Sequence, residues 1–270
     1  MSYVPISFSA WEERAAFFQQ VARARRRLLM LDYDGTLASF TKDRDQAYPY
    51  EGVRERLQRL VRSTTTRIVV VSGRAIANLR PLLGVEPLPE LWGTHGWERL
   101  SSNGIYQLPS LPAQTQQVLN AEVAALRAAG LAEHHEEKPA GVAVHWRDLP
   151  PAVMDRIQAF VGPRWAHIHP SAGLEVHAFD GGLELQAVGR TKGWAVRQLL
   201  DEETPEAAAF LGDDYTDERA FDALAGHGLC VQVRTELRQP TGATLWLRPP
   251  EELLAFLDDW IGASGSGYAS

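Results

Sequence analysis

Arg27-Leu28-Leu29-Met30-Leu31-Asp32-Tyr33-Asp34-Gly35-Thr36-Leu37 joins a short apolar run to two carboxylates spaced i, i+2 and a Gly-Thr turn. The run is uniformly apolar rather than alternating, so it reads as a strand covered on both faces. Asp32 and Asp34 then fall just beyond its carboxyl end, where open α/β sheets hold their ligands. Two acids at the mouth of a buried strand are costly unless something cationic neutralises them. A metal ion and a covalent phosphoryl chemistry both account for them. The competing reading is a plain strand exit, because Asp and Gly favour turns.

The same texture recurs. Arg67-Ile68-Val69-Val70-Val71 is rich in β-branched residues and ends in Ser72-Gly73-Arg74, followed by a helical pattern through Ile76, Leu79, Leu82 and Leu83. Leu91-Trp92-Gly93 leads into Thr94-His95-Gly96-Trp97-Glu98, and Ser101 to Gly104 reads as a hairpin turn. Ala207 to Leu211 ends in Gly212-Asp213-Asp214-Tyr215-Thr216-Asp217-Glu218. Residues 228–233 and 244–247 are two more strands. Helices are expected from an N-cap at Ser9 through Val21, across Val53 to Val61, over 192–201, and after Pro249-Pro250-Glu251-Glu252. Residues 39–50 form a polar loop beside the acidic turn, and the small polar tail, 264–270, is expected to be disordered.

From about 108 to 188 the pattern changes to helix, hairpin, helix, hairpin. Helices fall at 118–131 and 151–161, strand pairs at 132–138 with 141–147 and at 173–179 with 182–187, the second pair joined through Asp180-Gly181-Gly182. Paired strands with short turns indicate an antiparallel sheet, hence a separate α+β module inserted into the parallel one.

The 270 residues carry a net charge of −7 and no long basic run, which argues against a nucleic-acid binder or a membrane-surface protein. Cys230 is the single cysteine, so no intrachain disulfide or thiolate metal site is available. No apolar run approaches the roughly 20 residues that cross a bilayer, and the N-terminus lacks signal-peptide order. A cytoplasmic, monomeric protein is the expectation.

The strand ends supply one chemistry. Asp32 is placed as a nucleophile toward phosphorus. A sugar alkoxide leaves poorly, and Asp34 can protonate it and later take a proton from the hydrolytic water. Phosphate and carboxylates repel, so Mg²⁺ is expected, held by Asp32, Asp213 and the backbone carbonyl of Asp34. Ser72 offers a hydroxyl and Lys192 a point charge to the phosphate. Singly these motifs are weak: Ser-Gly-Arg and Thr-Lys-Gly are common helix starts. Three acids within five residues after an apolar strand are a stronger signal.

Taken together, the motifs resemble those of the haloacid dehalogenase-like (HAD) phosphatase superfamily. Within it, GDDYTDERAF, Gly93-Thr94-His95-Gly96-Trp97-Glu98, Glu137-Lys138 and His145-Trp146-Arg147 are similar to the trehalose-6-phosphate phosphatase family. The resemblance implies a doubly wound, Rossmann-like parallel-sheet core of 1–107 and 189–263, with 108–188 as an inserted α+β cap of the C2 type. It implies Mg²⁺ bound through Asp32, Asp34 and Asp213, with Asp214 and Asp217 as supporting acids of the metal motif. It further implies a sugar-phosphate substrate contacted by Arg74, His95, Glu98, Glu137, Lys138, His145, Arg147 and Glu184.

One departure concerns the sugar. Relatives usually follow the glutamate matching Glu184 with a basic residue and proline, whereas here Leu185-Gln186-Ala187 follows. Another glycosyl phosphate, such as sucrose 6-phosphate or a glucosylglycerol or glucosylglycerate phosphate, therefore competes with trehalose 6-phosphate. A phosphomutase and a non-catalytic sugar-phosphate sensor are the other classes. Trp97, Trp146 and Trp194 are read as packing residues rather than sugar platforms.

Overall fold

The computed structural model describes residues 9–41, 43–179 and 181–265; the side chains of 9–12 and 63 also lie outside the description. Asp180 of the expected turn and the capping side chain of Ser9 are therefore not described.

The core is an eight-stranded sheet of β1 (Arg27–Leu31), β2 (Thr66–Val71), β3 (Glu90–Gly93), β4 (Glu98–Leu100), β5 (Tyr106–Gln107), β10 (Ala207–Gly212), β11 (Leu229–Val233) and β12 (Leu245–Leu247), in the order β12-β11-β10-β1-β2-β3-β4-β5. The run from β12 to β3 is parallel, and β4 and β5 add an antiparallel edge. Successive residues of β1 pack into opposite layers. Leu29 and Leu31 meet the layer of α1 (Ser9–Arg23), α2 (Val53–Ser63), α3 (Ile76–Leu83) and α8 (Glu251–Gly265). Leu28 and Met30 meet α6 (Lys192–Glu203) and α7 (Tyr215–Leu224). All four are fully buried, each contributing about 1.5–3 kcal/mol. That two-sided burial is why the run lacks alternation.

From β1 the chain winds outward through β2 and β3, and from β10 it winds the other way through β11 and β12. The two central strands thus flank the point where the winding reverses. A crevice opens there at the carboxyl ends, and Asp32 and Asp213 follow those ends.

Between β5 and α6 the chain builds a second sheet. Its elements are α4 (Ala113–Ala128), β6 (His135–Lys138), β7 (Gly141–His145), α5 (Pro151–Ala166), β8 (Leu174–Phe179) and β9 (Gly182–Ala187), with antiparallel order β6-β7-β9-β8. One face, with Val142, Val144 and Leu185, packs on the helices in an apolar cluster that also takes in Trp97 of the core.

The expected disorder from residue 264 is corrected. α8 runs to Gly265, and Ser264 is buried with its hydroxyl donating to the Trp260 carbonyl at 2.6 Å. Residues 266–270 lie outside the description. Residues 132–134, expected in a strand, form a short 3₁₀ turn. Among the described residues no helix is long and apolar enough to cross a membrane.

Candidate active site

Asp32 is placed by the sheet itself, its N–H donating to the Leu211 carbonyl at 2.8 Å. The carboxylates of Asp32, Asp213 and Asp217 each present an oxygen within 4.8 Å of the others, all buried. Lys192 opens α6, whose N-cap Thr191 accepts from the Trp194 N–H. Its Nζ donates to Asp32 Oδ1 and Asp217 Oδ1, both at 2.6 Å. Gly35, at φ +85°, lets the chain turn against Asp213, since an added Cβ would overlap that carboxylate.

The three acids differ in what remains open. Asp217 is fully engaged: Oδ2 accepts the N–H groups of Asp213 and Asp214 at 2.9 Å, and Oδ1 the lysine. Asp32 Oδ2 meets the Thr36 hydroxyl at 3.4 Å. Asp213 Oδ1 is buried without a hydrogen-bond partner. Burial, then Asp217, pushes Asp32 up to about 7 against the pull of Lys192. Burial, then Asp32, raises Asp213 well above the usual carboxylate range. Burial opposes the charge of Lys192, but Asp217 and Asp32 outweigh it and raise its pKa. Lys192 thus serves Asp32 and Asp217, Arg234 Nη1 stands 3.5 Å from Asp213 Oδ2, and the open oxygens on Asp32 and Asp213 are hard donors suited to a divalent ion. The residues fit such a metal.

Asp34 faces differently. Arg74 grips its carboxylate with Nε and Nη2, and its Nη1 donates to the Arg44 carbonyl at 2.9 Å. Burial works against the Arg74 charge, yet Asp34 outweighs it and raises the pKa. Ser72, fully buried, accepts the Arg74 N–H at 3.1 Å. Thr94 and His95 hold left-handed backbone at φ 47° and 55°. Such residues cost roughly 1–3 kcal/mol each. Hydrogen bonds from their N–H groups to the Arg74 and Ser72 carbonyls, at 2.8 and 2.9 Å, hold the loop against that strain.

Asp32, Asp34, Arg74, His95, Lys192 and Asp213 form one wall of a cavity of about 710 Å³. The opposite wall is the polar face of the second sheet. Strand register places Glu136, Ala143, Glu184 and His177 in one row and Lys138, Gly141, Gln186 and Glu175 in the next. With only Gly141 and Ala143 between them, Lys138 reaches Glu184 Oε2 at 2.5 Å, and His95 reaches the same oxygen at 3.4 Å. Burial alone would raise Glu184, but Lys138 and His95 hold it down to about 2. Burial would likewise raise Glu136, which Lys138 and Arg44 hold well below the usual range. Arg44 Nη2 lies 2.8 Å from Glu136 Oε2, and Nη1 lies 2.8 Å from His145 Nε2. That short contact makes Nε2 an acceptor, hence a neutral imidazole, in line with burial lowering the His145 pKa. Glu136 Oε1 and Glu184 Oε1 are buried with no donor. Two acceptors in a cavity wall, each on a carboxylate fixed through its other oxygen, suit ligand hydroxyls.

The expected site residues divide accordingly. Asp32, Asp34, Arg74, His95, Lys138, His145, Arg147, Glu184, Lys192, Asp213 and Asp214 line the cavity. Glu98 does not: it is buried and takes donors from Thr94 Oγ1 at 2.6 Å, the Ile76 N–H at 3.2 Å and the Tyr106 hydroxyl at 3.0 Å. Glu137 does not either, because strand alternation turns it to the helix face, where it pairs with Arg127 of α4. Asp214 is spent as the N-cap of α7, accepting the Tyr215 N–H at 2.7 Å with Arg238 at 3.4 Å, and Asp34 commits its carboxylate to Arg74. Neither carboxylate belongs to the acidic cluster. Ser72 lies beneath the cavity rather than in its wall. Trp97 and Trp194 pack away from the cavity. Sequence reasoning missed Glu136 and Arg44. Parity with Lys138 signals Glu136; Arg44, in a polar loop, carries no local signal.

Residues 30–245 match the family model described as Trehalose-phosphatase. The chain belongs to the trehalose-phosphatase family. A family member from Mycobacterium tuberculosis (strain H37Rv), a trehalose-phosphate phosphatase, is 31% identical over 250 residues, spanning 87% of this chain and 61% of that protein. The chain thus covers about three fifths of the length of such relatives. The solved trehalose-6-phosphate phosphatase of Aspergillus fumigatus matches with a TM-score of 0.64 at 27% identity, over 93% of this chain and 98% of that one. The HAD-superfamily phosphatase BT1666 from Bacteroides thetaiotaomicron matches with a TM-score of 0.60 at 17% identity, over 88% and 95%. The fold of this family member is HAD-like.

Proposed function

We propose that this chain is a Mg²⁺-dependent phosphatase that hydrolyses trehalose 6-phosphate to trehalose and phosphate through an aspartyl-phosphate on Asp32. The observation that carries the reading is the pairing of two walls across one cavity: a buried Asp32–Lys192–Asp213 cluster facing a sheet of hydroxyl-binding groups.

Asp32 Oδ2 and Asp213 Oδ1, with the Asp34 backbone carbonyl, would hold Mg²⁺. When bound it would keep Asp32 ionised and offset the charge of the transferring phosphoryl group. Lys192 steadies the nucleophile through Oδ1 and neutralises a phosphoryl oxygen. Ser72, buried beneath the cavity, braces the turn by accepting the Arg74 N–H. Asp32 attacks phosphorus as the P–O bond to the sugar breaks, and the departing oxygen takes the proton of Asp34. A water then attacks the acyl phosphate, gives its proton to Asp34, and releases phosphate and the Asp32 carboxylate. Arg74 holds both carboxylate oxygens of Asp34. An arriving phosphate, itself an acceptor for guanidinium donors, would loosen that grip and permit protonation. On the other wall, Glu136, Lys138, His145 and Glu184 would bind sugar hydroxyls, and 108–188 would act as the cap.

Phosphate release from trehalose 6-phosphate is measured against glucose 6-phosphate and sucrose 6-phosphate, with Mg²⁺ and with chelator. Mg²⁺-dependent preference for trehalose 6-phosphate is expected, and Asp32→Asn should abolish turnover. Equal weak activity on all three would move the substrate to another glycosyl phosphate, and full turnover in chelator would overturn the metal assignment.

A further inference from the structure

The loop after the first acidic turn is the place where the two walls meet. Phe40 lies under the Arg147 guanidinium, 4.0 Å from its ring centroid. Arg44 opens the short 3₁₀ turn Arg44–Gln46, set by the Asp43 side chain accepting the Asp45 N–H at 3.0 Å. Its guanidinium reaches into the second sheet, to Glu136 and His145. Its carbonyl points back into the core and takes Arg74 Nη1. Arg74 Nε and Nη2 donate to Asp34. A single residue therefore touches the inserted module with its side chain and the acid/base clamp with its backbone.

We propose that Arg44 is a positioning residue that ties the state of the inserted module to the placement of Asp34. This rests on the phosphatase reading for its chemistry, although the mechanical link stands on the contacts alone. Arg44 Nη2 occupies Glu136 Oε2 and leaves Oε1 without a donor. A sugar hydroxyl can then bind Glu136 without displacing Arg44, so the link persists with substrate bound. Holding the guanidinium on Glu136 and His145 fixes the 3₁₀ turn, and with it the carbonyl that braces Arg74. Without that anchor Arg74 retains Asp34 but loses its third point of support, and the carboxylate drifts from its productive position. Small misplacements of this kind cost rate rather than affinity.

Two measurements test the link. In steady-state kinetics, Arg44→Ala should lower kcat by about tenfold with a smaller change in KM, and Arg44→Lys, which retains the charge on Glu136 but not the contact to His145, should recover part of it. Glu136→Gln combined with Arg44→Ala should lower kcat less than the product of the single effects, because both cut the same connection. A pure KM effect, or full additivity, would overturn the proposal. In amide hydrogen exchange, which needs no substrate, Arg44→Ala should increase exchange in 33–38 and 73–78 as well as in 39–47, with α8 unchanged. Increased exchange confined to 39–47 would overturn it. Were the wild-type chain inert toward every sugar phosphate, the substrate assignment would fall, while the exchange result would still decide the coupling.

Discussion

Arg74 holds Asp34 with a planar fork, Nε to Oδ2 and Nη2 to Oδ1, both at 2.7 Å. Both partners sit at strand exits, Asp34 after β1 and Arg74 after β2, and those strands pair in parallel register. The sheet thus fixes the geometry of the grip before any ligand arrives. A lysine has a point charge and cannot span two carboxylate oxygens and the Arg44 carbonyl together. Arg74→Lys is expected to reduce kcat on trehalose 6-phosphate by roughly 10- to 100-fold. Steady-state kinetics checks this, and a wild-type kcat in the variant would show the fork to be dispensable.

Glu98 is expected to behave as a structural residue. Its carboxylate gathers Thr94 Oγ1, the Ile76 N–H and the Tyr106 hydroxyl, joining β4 to the start of α3 and to β5. Glu98→Ala leaves buried donors unpaired and should cost about 2–4 kcal/mol in denaturant unfolding. The KM of the folded variant should stay near the wild-type value. A large rise in KM at unchanged stability would return Glu98 to the substrate.

Which parts of this were readable beforehand follows from how locally each is determined. That Asp32, Lys192 and Asp213 come together was readable because each follows an apolar strand or opens a helix, and strand ends in a parallel sheet converge by topology. Glu98 and Glu137 were misplaced for different reasons. Glu137 fails on parity, since Lys138 and Glu137 cannot share a face of one strand; Glu136 can. Glu98 fails because its carboxylate is consumed by Thr94 four residues back, by Tyr106 across the hairpin and by the Ile76 N–H of α3, and the last of these contacts has no local pattern. Arg44 lies 101 residues from His145, so its role exists only once the two sheets face each other.

Acid sensitivity should trace in part to the second wall. Glu184 has a pKa of about 2 in the folded chain, against an ordinary value of 4.5, because Lys138 and His95 outweigh its burial. A carboxylate with a depressed folded pKa contributes stability that is present above the unfolded pKa. The unfolded chain binds the proton first as pH falls, so this contribution declines from about pH 4.5 and is gone below about 2. Glu184→Gln is expected to lower Tm at neutral pH and to flatten the Tm–pH slope between those limits. An unchanged slope would mean that other carboxylates carry the acid transition.

Metal affinity and stability should pull Asp213 in opposite directions. Its Oδ1 has no partner although Arg234 Nη1 stands 3.5 Å from Oδ2, and burial with Asp32 raises its pKa well above the usual range. Both features mark a charge that costs the metal-free fold. Asp213→Asn removes that charge at nearly constant volume, so without Mg²⁺ the variant should be more stable than wild type, by on the order of 1–3 kcal/mol. Mg²⁺ binds the folded state alone, and at a hundredfold excess over Kd it should stabilise wild type by about 2.7 kcal/mol. The variant should show little of this shift and no turnover. Thermal unfolding with Mg²⁺ and with chelator reads both effects. A wild-type Mg²⁺ shift in Asp213→Asn would move the metal ligand elsewhere, and a loss of metal-free stability would show that Asp213 holds the crevice together rather than straining it.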